Sequence, residues 1–91
     1  MRPEIRINEI FSEEHNEKLF FVMQCQIVTG SIKIGSNINL PFSSGLDMTI
    51  PVDAIESSND QIIRIKVRCE DAEEIEFLRG LNLVGETLIV E

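Results

Sequence analysis

The sequence predicts an all-β fold, a small sandwich or closed antiparallel barrel, on three observations. Apolar residues recur with period two, turn residues punctuate the chain at short intervals, and only one segment carries a helical pattern. The 91 residues leave room for one domain, spanning 1–91. A chain of this size buries roughly 60–65% of the surface its unfolded form exposes, enough for one core. Closure into a barrel is the expected solution, because closure leaves no strand edge open.

The elements follow in order. Ile5 and Ile7 alternate with Arg6 and Asn8 as an opening strand, before Ile10 and Phe11 break the phase. Ser12 to Lys18 is polar and charged, and is expected to be the turn into the next strand. There Phe21, Met23, Cys25 and Ile27 share one face, while Phe20, Val22, Gln24 and Gln26 share the other. Gly30 and Gly35 mark bends, with Gly35-Ser36-Asn37 a tight reversal between Ile34 and Ile38. Pro41 to Gly45 is expected to be a loop, since proline has no N–H to give to a central ladder. Thr49, Ile50 and Val52 are strand formers, and Ser57-Ser58-Asn59-Asp60 is a further loop.

The clearest strand is the run in which Ile63, Ile65, Val67 and Cys69 alternate with Arg64, Lys66 and Arg68. Asp71 to Leu78, with Ile75 and Leu78 three apart, predicts one or two helical turns. Gly80 and Gly85 are bends before a last β-rich run, Thr87 to Val90. Alternation places Cys25, Ile27, Ile32, Ile38, Ile63, Ile65, Val67 and Cys69 in the core.

Charge and composition exclude several functions. Eight Lys and Arg against sixteen Asp and Glu give a net charge of −8, a surface that repels phosphate backbones. There is no Tyr or Trp to stack on bases, and the five Phe fall mostly in core-like runs, so nucleic acid is not an expected partner. No apolar run approaches the roughly 20 residues that cross a bilayer, and Met-Arg-Pro-Glu does not open a signal peptide. No membrane association is expected, and the cytoplasm is the expected location. Cys25 and Cys69 each sit alone in apolar runs and read as small buried hydrophobes; a disulfide between them would need neighbouring strands. One histidine, His15, and no Cys-x-x-Cys spacing predict no metal site, and no other cofactor is expected. No Gly-x-x-x-x-Gly-Lys-Ser/Thr occurs, so no nucleotide is expected to bind through a P-loop.

The groups that could carry chemistry are few. Glu70, Asp71, Glu73, Glu74 and Glu76 put five carboxylates into seven positions, a spacing that fits neither a calcium loop nor a buried acid pair but suits a solvated helix start. His15 lies in a polar segment with no Ser or Cys beside it. The expectation is a protein that is not an enzyme. Arg64, Lys66 and Arg68 form the candidate partner-binding site, because their spacing aligns three cations on one face of one strand. They are either a stripe for an anionic partner or an outward face whose charges pair with acids across the ladder.

From Cys25 the chain runs Cys-Gln-Ile-Val-Thr-Gly-Ser-Ile-Lys-Ile-Gly-Ser-Asn-Ile-Asn-Leu. This resembles the Gly-x-Val-x-x-Gly-x-Ile-x-x-Gly-x-x-Val-x-Ile signature of the second domain of elongation factor Tu and related translational GTPases. Ile27, Gly30, Ile32, Gly35, Ile38 and Leu40 match it, and Cys25 stands in place of the first glycine. Ile5 to Phe11 resembles the opening strand of that domain, and Ala54-Ile55-Glu56-Ser57 a later one. Glu73-Glu74-Ile75-Glu76 and Arg79-Gly80 resemble its Glu-Glu-Ile-Glu-Arg-Gly segment, with Phe77 and Leu78 inserted. Leu19-Phe20-Phe21 replaces the glycine-rich loop that helps that family cradle the aminoacyl end of tRNA, and Asp60 to Arg64 lacks its Ala-x-x-Gly-x-x-Val turn.

The resemblance spans Pro3 to Val90 and implies a closed antiparallel barrel of six or seven strands, standing alone without the GTPase domain. The function expected is a non-catalytic binding module that docks on a protein partner, with the Ser12–Lys18 and Pro41–Gly45 segments as further docking surfaces. The alternative that the resemblance implies is a translation-associated domain contacting RNA, tRNA or the ribosome.

Overall fold

Seven strands and one helix follow one another along the chain: β1 (Glu4–His15), β2 (Lys18–Thr29), β3 (Asn37–Ser43), β4 (Leu46–Pro51), β5 (Ala54–Ser57), β6 (Ile62–Cys69), α1 (Ala72–Arg79) and β7 (Thr87–Ile89). The computed structural model describes residues 2–43, 46–57, 59 and 61–91, with the backbone alone for 41–43, 46 and 47. The fold is mostly β with one short helix, as the period-two pattern predicts. Five strands form an antiparallel sheet in the order β5-β6-β2-β1-β7, and β3 and β4 form a separate antiparallel pair. One bridge, Ile38 to Val90, links the two sheets. Neither sheet closes on itself among the described residues, so the ladders do not draw the closed ring expected from the sequence.

The chain changes sheets at a two-residue corner between β4 and β5. The Val52 N–H donates to the Ser36 carbonyl at 2.9 Å and the Val52 carbonyl accepts from the Gly35 N–H at 3.0 Å, which extends the β3–β4 pairing. One residue later, the Asp53 N–H donates to the Lys66 carbonyl of β6 at 3.0 Å. Val52 itself is buried at the corner.

Alternation fills one core between the sheets. Ile5, Ile7, Phe21, Met23, Cys25, Ile38, Leu40 and Ile65 are fully buried there, with Ile63, Val67 and Cys69 nearly so. Ile27 and Ile32, expected in the core, are only partly buried against it. Ile27 lies beside an irregularity in which Val28 is left over between two register pairs, Glu4 with Thr29 and Ile5 with Ile27. Ile32 precedes β3, in the bend whose Gly35 has φ of 94°.

The phase break after Ile7 has a backbone cause. Ile7 pairs with Cys25 and Glu9 with Gln24, so Asn8 is an extra residue in β1, a β-bulge. Beyond it the parity of the strand inverts, and Ile10 faces Met23 while Phe11 faces Val22 on the other side.

Two predicted loops are largely strand. Ser12 to His15 continue β1 and Lys18 begins β2, leaving Asn16 and Glu17 as a two-residue turn with φ of 52° and 65°. Positive φ at both positions is the hairpin turn whose twist matches that of its strands. Polar composition misleads here because this end of the hairpin is mostly solvent-facing. A left-handed glutamate is strained and glycine is not, so Glu17→Gly is expected to raise stability by about 0.5–1 kcal/mol. Thermal unfolding followed by circular dichroism checks this; a lower midpoint would mean that the turn has another conformation. The Pro41–Gly45 segment differs likewise. Pro41 to Ser43 belong to β3, beyond its Ile38–Val90 bridge and in a two-stranded ladder where a missing donor is tolerated, while Ser44 and Gly45 lie outside the described residues.

The helix stands where the sequence places it. Asp71 caps it, its carboxylate accepting the Glu74 N–H at 3.0 Å, and Glu73 and Glu74 occupy the first turn, where the helix dipole favours negative charge. Ile75 and Leu78 are its buried residues. The acidic run thus serves a helix start. In the segment predicted as the Ser57–Asp60 loop, the Asn59 side chain accepts the N–H groups of Gln61 and Ile62, both at 3.0 Å, turning the chain into β6; Ser58 and Asp60 lie outside the described residues. No helix among the described residues is long and apolar enough to cross a membrane.

Candidate functional site

Strand β6 lies between β5 and β2, so its two faces meet different surroundings. Ile63, Ile65 and Val67 point into the core, which turns Arg64, Lys66 and Arg68 onto the outer face. In register, Arg64 lies opposite Gln24, Lys66 opposite Val22 and Arg68 opposite Phe20. The three cations therefore share one face, as their spacing predicts, but their surroundings differ.

Lys66 is neutralised within the molecule. Its Nζ lies 2.7 Å from Glu13 Oε1 and 2.9 Å from Glu56 Oε1. Glu13 belongs to β1 and Lys66 to β6, so this ion pair crosses over the intervening β2. Underneath lies Val22, paired with Phe11 on one side and Lys66 on the other. Val22 is fully buried although it is not part of the main core cluster. The outer face thus carries a packed layer of its own, built from Phe11, Val22 and the stem of Lys66.

The hydrogen bonds that Lys66 donates to Glu13 and Glu56 hold its ammonium charged to higher pH than usual. Conversely, the bond to Lys66 and then its charge hold the Glu56 carboxyl below its usual value. A depressed carboxylate contributes stability above its unfolded pKa, near 4.3, which is lost as pH falls through the folded value. A raised lysine contributes below about 10.4, and that is lost as pH climbs through its folded value. The stability difference between Lys66→Met and the parent is therefore expected to stay flat between about pH 5 and pH 9 and to shrink below about pH 4. Urea titrations across that range measure it. A difference that grows in acid would mean that the triad does not form.

Arg64 is held differently, by an aromatic ring, while its charge adds to the lowering of the Glu56 carboxyl. Its guanidinium carbon sits 5.6 Å from the centre of the Phe11 ring, within cation–π range. Its Nε is buried without a hydrogen-bond partner. Among the described residues neither Arg64 nor Arg68 makes an ion pair, although Glu56 stands directly across the ladder from Arg64. Glu56 reaches diagonally to Lys66 instead. A shallow cleft on this face is lined by Glu13, His15, Phe20, Ala54, Glu56, Arg64 and Lys66. His15 ends β1 there, exposed, with no hydroxyl or thiol among the described lining residues. Arg68 is exposed, and its backbone N–H donates to Asp53 Oδ2 at 2.8 Å.

The thiols are out of play. Cys25 pairs with Ile63 and Cys69 with Leu19, six positions apart on adjoining strands and about 20 Å along the ladder, so no disulfide can join them. Burial pushes the Cys25 thiol up to about 12, and burial first, then Glu74, raises that of Cys69.

Sequence reasoning finds the stripe but not its partners. Glu13 lies 53 positions from Lys66, and Phe11 meets Arg64 only because the bulge turns it outward. The phase break at Ile10 and Phe11 is the one signal that could have shown this. The chain matches no protein-family model, and neither a curated protein nor a solved structure is significantly similar to it.

Proposed function

We propose that the chain is a non-catalytic β-barrel binding module that docks on a protein partner through the outer face of β6 and β2. The observation that carries this reading is the contrast along one strand. Lys66 is paired twice within the molecule, whereas Arg64 and Arg68 face outward without an ion pair among the described residues. On a chain with a net charge of −8, two guanidiniums on one strand face beside the Phe11 and Val22 layer are a local concentration of positive charge, with Glu56 opposite Arg64 and with Glu14, Glu17, Asp53 and Glu70 lining the cleft at Arg68. Free cysteines are in keeping with the cytoplasm.

The same reading keeps the barrel similar to the second domain of elongation factor Tu. Its support is the Ile38–Val90 bridge at one seam and the Val52–Asp53 corner at the other, which bring β7 to β3 and β4 toward β6. Gly30 and Gly35, which carry that resemblance, have φ of 73° and 94°, values that suit glycine.

A photo-crosslinking residue placed at Gln24, beside Arg64, tests the docking role in the native host. The expected result is one discrete protein adduct that survives nuclease and disappears when Arg64 and Arg68 are both changed to Glu. An adduct that nuclease removes would make the RNA-contacting alternative correct. Capture indifferent to the double change would remove this face from the proposal.

A further inference from the structure

Strand β4 has one paired edge and one open edge. Asn37 exchanges hydrogen bonds with Glu91 at 2.8 and 2.7 Å, so alternation turns the backbone groups of Ile38 and Leu40 toward β4, where Ile50 and Met48 face them. The Val52 N–H, donated to Ser36 at 2.9 Å, keeps the same parity. The N–H and carbonyl of Thr49 and the carbonyl of Pro51 therefore point away from β3, and among the described residues none of the three has a partner. At Asp53 the chain reaches β6, through the bond to Lys66.

Beside that edge lies an apolar pocket of about 230 Å³, walled by Met48 and Ile50 of β4, Val67 of β6, and Phe77 and Leu78 of α1. This is below the roughly 300–1,000 Å³ of pockets for small molecules and gives room for one large side chain. The surroundings are acidic. Glu73, Glu74 and Glu76 are exposed on α1, and an adjoining cleft, which shares Pro51 and Arg68 with the pocket, sets Glu14, Glu17, Asp53 and Glu70 against Lys18 and Arg68.

We propose that the open edge of β4 receives an extended segment of a protein partner, which pairs with Thr49, places one large apolar side chain in the pocket and carries lysine or arginine on either side of it. An extended backbone is the complement of an unpaired strand edge. The residue opposite Thr49 exchanges two hydrogen bonds with it, and another N–H of the segment donates to the Pro51 carbonyl. Cross-strand neighbours share a face, and Thr49 is exposed while Ile50 is buried. The segment's residue opposite Thr49 thus faces outward, and the next one, opposite Met48 or Ile50, enters the pocket. Pro51 has no N–H to give, so the added ladder is short and the buried side chain fixes its register. A second copy is a poor occupant, because two chains of net charge −8 repel, whereas basic flanks meet the acids around the pocket.

The test uses the full chain and the synthetic peptide Gly-Lys-Thr-Leu-Thr-Lys-Gly, titrated by NMR at about 0.05 M salt. Perturbed amides are expected in β4 and α1, and hydrogen exchange of the Thr49 amide is expected to slow. Changing the peptide leucine to serine is expected to weaken binding about ten-fold or more. Methylating the backbone nitrogens of both peptide threonines, which removes the donors of the ladder, is expected to cost about five-fold or more. Changing both lysines to glutamate is expected to cost about five-fold at that salt and less at about 0.5 M. Phe77→Ser is expected to weaken binding about three-fold or more, its fold checked by thermal unfolding, while Arg6→Gln, exposed on β1, is expected to leave it unchanged.

A methylated or serine peptide that binds as well as the parent overturns the proposal, as does a Thr49 amide that exchanges at the same rate with and without peptide. So does N-acetyl-leucine amide binding as tightly as the peptide, which would make the pocket a small-molecule site. A chain that sediments as a dimer without peptide, with Thr49 already protected, would give the edge to a second copy instead. The Gln24 crosslink tests the outer face of β6 and β2 and the peptide tests this edge, so either reading can fail alone.

Discussion

Ile65→Ala is expected to lower stability by about 2–5 kcal/mol, the largest loss among the outward and inward positions of β6. Ile65 is fully buried and sits between Met23 of β2 and Ile55 of β5, in the strand that joins the sheet's longest ladder to its edge. Truncation removes three carbons from a site whose walls are backbone ladders, which collapse poorly around a void. For a domain of this size each kcal/mol moves the thermal midpoint by roughly 4–8 °C, so a fall of about 10 °C or more is expected. Arg64→Ala, one position earlier on the opposite face, is expected to cost no more than about 1 kcal/mol. Paired thermal melts measure both. An unmoved midpoint for Ile65→Ala would mean that the register of β6 is off by one residue, which would also turn the arginines inward.

That pairing shows which parts of the molecule are legible in its sequence. The inward and outward sets of β6 follow from strict alternation over Ile63 to Cys69, and α1 is bounded by its own composition. These features depend on neighbours a few positions away. The lengths of β1 and β2 do not, because polar residues occupy solvent-facing strand positions as readily as turns, and only the φ values of Asn16 and Glu17 locate the reversal. Val22 shows the same limit differently. Its parity assigns it to the outer face, correctly, but its burial comes from a Glu13–Lys66 contact that spans 53 positions. The candidate stripe was legible as three equal cations. Their inequality was not, since it rests on which acid each can reach across the register.

Gly30→Ala is expected to be the second most costly change, at about 2–4 kcal/mol, from two causes that add. The first is conformational: Gly30 has φ of 73°, where a residue with a Cβ is disfavoured by about 1–2 kcal/mol. The second is steric. A Cβ at Gly30 would stand 3.0 Å from Pro3 Cα and 3.1 Å from Pro3 Cβ, tighter than ordinary van der Waals contact, so Pro3 would have to give by a few tenths of an ångström. Pro3 is poorly placed to move, because its carbonyl accepts the Val90 N–H at 2.9 Å and the neighbouring Arg2 carbonyl accepts the Thr29 hydroxyl at 3.3 Å. Displacing it would disturb Val90, which forms the bridge to Ile38 between the two sheets. Gly35→Ala isolates the first cause, since Gly35 has φ of 94° and no described atom lies within 4 Å of where an added methyl would stand. The melting midpoint of Gly30→Ala is therefore expected to fall well below that of Gly35→Ala. Equal midpoints would show that the chain around Pro3 yields freely, and that the seam between the sheets is not anchored by its first residues.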